Sequence, residues 1–142
     1  MAETWFFIKS KLNGLVLDIE GANPAPETPI IVWPRKQTGT DNQLWSITPD
    51  GFIVSKLNGY VLDIFGANPA PATPIIAYPR KSSGTENQQW TLQDGFIVSH
   101  LNGNVLDIYQ ANPAQGTKVI SYPRKSSGIE NQQWTLEGPI NS

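Results

Sequence analysis

The chain of 142 residues has no cysteine and a single histidine, His100. Without thiols there is no zinc–thiolate centre, no cysteine nucleophile, no redox pair and no disulfide. With one histidine there is no Ser-His-Asp set and no multi-histidine metal site, so neither a cofactor nor a metal is expected. Charge is also scarce: 15% of residues are charged and the formal net charge is −2. A chain so balanced offers no electrostatic footprint for nucleic acid. No run of about 18 apolar residues occurs, so membrane insertion is not expected. The start, Met1-Ala2-Glu3-Thr4-Trp5, lacks a basic segment followed by an apolar one. The expected location is therefore cytoplasmic, or outside after release without a signal peptide.

What is present is turn-forming and repetitive. Apolar residues make up 39%, enough for a core, and 12 Gly and 12 Pro point to many turns and little helix. Trp45, Trp90 and Trp134 recur at spacings of 45 and 44, as do Asp18, Asp63 and Asp107, and Phe7, Phe52 and Phe96. Residues 51–94 and 95–138 are identical at 32 of 44 positions, and the first copy is more diverged. The chain reads as one domain, 1–142, of three repeats at about 5–50, 51–94 and 95–138.

Within the second repeat, Phe52–Ser55, Tyr60–Ile64, Ile75–Tyr78 and Gln88–Leu92 read as strands between turns. Asn58-Gly59, like Asn13-Gly14 and Asn102-Gly103, predicts a hairpin in which both residues accept positive φ. Four strands bury too little alone, so three repeats must share one core. Twelve strands about a pseudo-threefold axis predict an all-β β-trefoil. A three-sheet β-prism is the rival, and a propeller is disfavoured because propellers have at least four blades.

The repeats share a further signature. Gln43-Leu44-Trp45, Gln88-Gln89-Trp90 and Gln132-Gln133-Trp134 each follow an Asn. Leu-Asp-Ile recurs at 17–19, 62–64 and 106–108, and an aromatic–Pro pair precedes each Asn-Gln. In these motifs the chain resembles the ricin-B-type, Gln-x-Trp β-trefoil lectins, in the manner of single-domain fungal-type members, over about residues 5–137. The resemblance implies a sugar site of galactose or N-acetylgalactosamine type in each lobe, without metal. It assigns Asp18, Trp33 and Asn42 to the first site, Asp63, Tyr78 and Asn87 to the second, and Asp107, Tyr122 and Asn131 to the third. Gln43, Gln88 and Gln132 are implied to brace the Asp, and Gly21, Gly66 and Gln110 to lie on a loop that approaches the ligand. Some relatives have a polar residue where this chain has Ile31, Ile76 and Ile120.

The chemistry of those side chains agrees. A carboxylate accepts two adjacent hydroxyls, an amide donates and accepts, and a flat ring covers the C–H face of a sugar. Each ring precedes a proline, which holds the backbone before it extended. Trp45, Trp90 and Trp134 read as core. Arg35, Arg80 and Arg124 precede Asp41, Glu86 and Glu130 by six residues and are expected to strap that loop. Lys36, Lys81 and Lys125 are candidates for ligand contact or for a solvated loop. His100 reads as a surface residue. Trp5 has no assignment, and Phe65 and Tyr109 are candidates for bordering a site.

Three functions follow. The first is a multivalent lectin for glycans on glycoproteins or glycolipids, with a homodimer left open. The second, a glycosidase, needs two carboxylates roughly 5–10 Å apart across one bond. No second acid in matching register stands near the Asp apart from the loop acids, so no enzymatic activity is expected. The third is a protein-binding trefoil such as a protease inhibitor, which near-equal loops disfavour.

Overall fold

The computed structural model describes residues 4–140. Twelve strands carry the described residues. The first repeat contributes β1 (Trp5–Ser10), β2 (Val16–Ile19), β3 (Thr28–Trp33) and β4 (Trp45–Ile47). The second contributes β5 (Ile53–Ser55), β6 (Val61–Ile64), β7 (Thr73–Tyr78) and β8 (Trp90–Gln93). The third contributes β9 (Phe96–Ser99), β10 (Val105–Ile108), β11 (Val119–Tyr122) and β12 (Trp134–Ile140). Among the described residues the only helical pieces are six single 3-10 turns, two per repeat. All strand pairings are antiparallel. The architecture is the all-β trefoil that the repeats predict.

The first and second strands of each repeat meet at the Asn-Gly loop, but the turn differs from the expected one. Lys11 to Gly14 form a four-residue loop, with Ser10 N donating to Leu15 O at 2.8 Å and Gly14 N to Ser10 O at 3.0 Å. Only the glycine takes positive φ, 76° at Gly14. The Asn13 side chain instead accepts from Leu15 N at 3.0 Å, the local bond through which Asn favours turns. Its amide donates to Pro113 O of the third repeat, as Asn58 does to Pro24 O and Asn102 to Pro69 O. Each hairpin is thereby fastened to the proline-rich loop of a neighbouring repeat. The Gln-x-Trp segment also departs from a plain strand, because Gln43, Gln88 and Gln132 each close a 3-10 turn and the strand begins at the Trp.

Strands β2, β6 and β10 are buried at every position. Their alternate residues face opposite ways. Leu17 and Ile19 join the core, and the indole of Trp45 donates to Leu17 O at 3.2 Å. The same contacts recur with Trp90 and Leu62, and with Trp134 and Leu106. The central core thus takes a Leu, an Ile and a Trp from equivalent positions of each of the three repeats.

Closure comes from both ends. Strand β12 runs against β1, with Trp5 opposite Ile140 and Ser10 opposite Trp134. At the cap, β7 pairs with both β3 and β11, and Ile31 bridges to Lys118. Trp5, unassigned by sequence, packs with Ile140 on a small cluster of Phe7, Val16 and Leu44. The arginines do not strap their own loops. Arg35, Arg80 and Arg124 lie over Phe7, Phe52 and Phe96 at 4.2, 3.8 and 4.0 Å from the ring centres. Arg35 pairs with Glu137, and Arg80 with Asp50, in place of Asp41 and Glu86. A ring under a guanidinium holds a cation at short range at little entropic cost, which a flexible loop acid six residues away does not match.

Candidate functional site

Strand periodicity builds one open cup in each lobe. Across the β2–β3 ladder Asp18 faces Ile31 and Val16 faces Trp33. Asp18, Ile31 and Trp33 therefore stand on the face that points away from the core. The same register sets Asp63 against Ile76 beside Tyr78, and Asp107 against Ile120 beside Tyr122. The 3-10 turn after each Asp curls the chain over the cup, with positive φ at its centre: 64° at Gly21, 62° at Gly66 and 55° at Gln110. A second 3-10 turn, Asp41–Gln43 in the first lobe, brings the Asn and Gln in from below.

The result is three cavities. The first, about 430 Å³, is bordered by Asp18, Gly21, Ile31, Trp33, Lys36 and Asn42, with Glu20 at its edge. The second, about 280 Å³, has Asp63, Gly66, Ile76, Tyr78, Lys81 and Asn87, with Phe65. The third, about 420 Å³, has Asp107, Gln110, Ile120, Tyr122, Lys125 and Asn131, with Tyr109. Twelve of the fifteen residues expected at the sites meet there. The other three, Gln43, Gln88 and Gln132, are fully buried and lie behind the cup. Phe65 and Tyr109 do border their sites.

The glutamines act as braces. Gln43 Nε2 donates to Asp18 Oδ2 and to Pro34 O, each at 2.9 Å, and its Oε1 accepts from Lys36 N at 2.9 Å. One side chain thus ties the carboxylate to the loop that follows the ring. Gln88 and Gln132 repeat the arrangement. The lysines belong to the site itself. Lys36, Lys81 and Lys125 donate to the Oδ1 of Asn42, Asn87 and Asn131 at 2.6, 2.7 and 2.6 Å. Each Asn amide also donates to the Ile carbonyl after its Asp, at 3.0, 3.0 and 3.1 Å. Asn87 reaches Asp63 Oδ1 as well, at 3.2 Å. The amide is anchored as much as offered.

The carboxylates sit at the cup floors, 3% exposed in all three lobes. Desolvation raises their pKa, and the hydrogen bond from the Gln, the charge of the Lys and the bond from the Asn pull the other way. An acceptor held by donors on one side and open to a cavity on the other has lone pairs left for ligand hydroxyls.

Sequence reading missed how neighbouring lobes complete the cups. Glu27 borders the second cavity, Ala72 the third and Gly116 the first. These are equivalent positions of the preceding repeat. Their backbone amides are pinned across the lobe boundary, Glu27 N to Ala77 O at 2.9 Å, Ala72 N to Ser121 O at 2.8 Å and Gly116 N to Val32 O at 2.7 Å. The proline before each loop and the Asn-Gly hairpin on the neighbouring repeat were visible in sequence, but nothing local announces that they meet. Two second carboxylates, Glu20 at the first cup and Glu27 at the second, border the same cavity as the Asp. They occupy unrelated repeat positions, and the third cup has no counterpart to either.

Comparison with known proteins agrees with this architecture. No curated protein matches the chain. Among solved structures, the C-half of the earthworm R-type lectin, crystallised with GalNAc, is 33% identical with a TM-score of 0.80; the match covers 94% of this chain and 98% of that one. The designed threefold-symmetric protein ThreeFoil is 31% identical with a TM-score of 0.81 and the same coverage, 94% and 98%. The agglutinin of Abrus precatorius is 27% identical with a TM-score of 0.82, over 96% of this chain and 49% of that one. The pattern of the ricin-type beta-trefoil lectin domain matches residues 4–134, spanning all three Gln-x-Trp units and the braced carboxylates above them. On that extent of match, and on a fold shared over 94% of the chain with the earthworm lectin, the chain belongs to the ricin-type β-trefoil lectin family.

Proposed function

We propose that the protein is a lectin that binds terminal galactose- or N-acetylgalactosamine-type residues in three cups, one for each repeat of a single 1–142 unit, without metal. Family membership carries carbohydrate binding in general. The preference for galactose-type sugars rests on the convergence, repeated three times, of a buried braced carboxylate and an aromatic ring around one cavity. In this reading Asp18, Asp63 and Asp107 accept two vicinal hydroxyls, and Trp33, Tyr78 and Tyr122 cover the C–H face. Asn42, Asn87 and Asn131, each held by a lysine, set the cup wall. Ile31, Ile76 and Ile120 make that wall apolar where other polar contacts would otherwise be made.

The activity is binding and not catalysis. Glycoside hydrolysis uses two carboxylates with fixed mutual placement. The second acids here differ in origin between the first two cups and are lacking in the third, so they are no part of the repeated machinery. The related GalNAc-bound earthworm lectin adds support for the sugar class. A crystal soak with lactose, read beside a galactose titration in solution, tests the proposal. Density for a galactosyl ring between each Asp and its aromatic neighbour is expected. Empty cups at saturating lactose, or density away from the aspartates, would overturn it.

A further inference from the structure

The three cups share one set of groups but differ in charge. In each, one aspartate faces one lysine, which leaves the shared groups neutral. The first cup adds Glu20, from the turn that follows its own Asp. The second adds Glu27, which the neighbouring lobe holds against β7. The third has Tyr109 and Ala72 at those two places. It also gains a cation, because Lys118 stands where the other repeats have Pro29 and Pro74. The Lys118 ammonium lies 4.7 Å from the ring centre of Tyr109, a residue that borders the third cup, while the Lys118 backbone bridges to Ile31 of the first. Glu20, Glu27 and Lys118 are all solvent-exposed, so each is free to meet a ligand substituent.

We propose that the third cup favours sugars carrying an acidic group, a uronate carboxylate or a sulfate ester, while the first and second cups disfavour them. The inference rests on the sugar-binding reading above. An anionic substituent entering the first or second cup meets a carboxylate in excess of the balanced Asp–Lys pair. In the third it meets an ammonium already placed beside the ring that borders the ligand. The carboxylate environments agree: Glu20 acts on Asp18 and Glu27 on Asp63, both in the raising direction, and no second acid acts on Asp107. The arrangement gives one molecule two cups that prefer neutral sugars and one that takes acidic sugars as well.

Each exposed charge changes an equilibrium by roughly threefold, so loss of a repelling charge and gain of an attracting one compound to about tenfold. The test is a lobe-resolved NMR titration of the full chain, following the side-chain amides of Asn42, Asn87 and Asn131. The probes are methyl galactoside, methyl galacturonide and galactose 6-sulfate. The neutral sugar is expected to shift all three amides. The galacturonide should bind the third cup about tenfold tighter, relative to the neutral sugar, than it binds the first two. Galactose 6-sulfate separates charge from carboxylate geometry: equal preference means charge alone, and preference for the uronate alone means carboxylate recognition, both within the proposal. Glu27→Gln should tighten galacturonide binding at the second cup about threefold, and Lys118→Gln should lower the third cup's preference about threefold. Raised salt should shrink both effects. If the neutral sugar fills all three cups and both acidic sugars show no preference for the third, the inference falls and the lectin reading stands. Silence of all three amides toward all three sugars overturns both.

Discussion

Single residues show where function and stability pull apart. Asp18, Asp63 and Asp107 are raised in pKa chiefly by burial, so in the folded state each takes up its proton at higher pH than in the unfolded chain. Below the unfolded value both states are protonated and the group contributes nothing. As pH rises through the folded value, the charged form is disfavoured in the fold and the group subtracts from stability. Asp50 behaves in the opposite sense, because the hydrogen bond that the Thr48 hydroxyl donates to it is the largest cause lowering its pKa, so its contribution is lost only in stronger acid. Acidification is therefore expected to abolish sugar binding, with a midpoint above the ordinary aspartate range, while the melting temperature holds or rises over the same interval. Calorimetry and a galactose titration on one pH series would check this, and a melting temperature falling in step with binding would refute it. Ser121 gives a second case. It is fully buried where the other repeats have Val32 and Ala77, and among the described residues its hydroxyl is the one buried side-chain polar atom without a partner. Ser121→Ala should stabilise the protein by about 1 kcal/mol in urea unfolding, by removing an unpaired polar group.

The elements divide into those that the pattern of residues announces and those that geometry decides. Leu-Asp-Ile beside a β-branched residue identifies β2, β6 and β10, and the aspartate's outward direction follows from the alternation within the strand. The ring, the carboxylate and the amide of each cup were legible in the same way. The arginine partners were not, because stacking on Phe7, Phe52 and Phe96 links segments 28 residues apart that share no local signal. Nor were Glu27, Ala72 and Gly116, whose place depends on how one repeat's loop lies on the next. Turns between repeats show what such docking demands. Gly51 N bonds Thr48 O, and Trp90 N of the next Gln-x-Trp strand donates to Gly51 O at 2.8 Å. A Cβ on Gly51 would stand 2.9 Å from the Trp90 carbonyl oxygen, at φ 97°. On Gly95, the equivalent glycine, it would meet the end of the Gln133 side chain, at φ 83°. Backbone cannot swing away as a side chain can. Gly51→Ala is thus expected to cost about 3 kcal/mol and Gly95→Ala about 1–2 kcal/mol, the strain of positive φ being common to both. Equal losses in denaturant midpoints would show that the carbonyl contact does not matter.

At the scale of the molecule, the proposed sugar binding draws its strength from threefold repetition. Each cup is open, and a single monosaccharide there would gain little beyond the cost of desolvating its hydroxyls. The cups are held in fixed relation by the hairpin-to-loop bonds from Asn13, Asn58 and Asn102 and by the β3–β7–β11 meeting at the cap. Rigid spacing makes a second contact intramolecular once the first has formed, provided the glycans on a surface match that spacing. Free galactose should accordingly bind with three sites per chain in calorimetry. Binding to a densely galactosylated surface should exceed the single-site affinity by about a hundredfold. The double variant Asp18→Asn, Asp63→Asn keeps one intact cup, so its free-sugar stoichiometry should fall to one while affinity per remaining site is preserved. Its surface avidity should then collapse to the single-site value, since nothing is left for a second contact. Retention of most of the avidity by that variant would mean that one dominant cup, and not the symmetry of the fold, carries recognition.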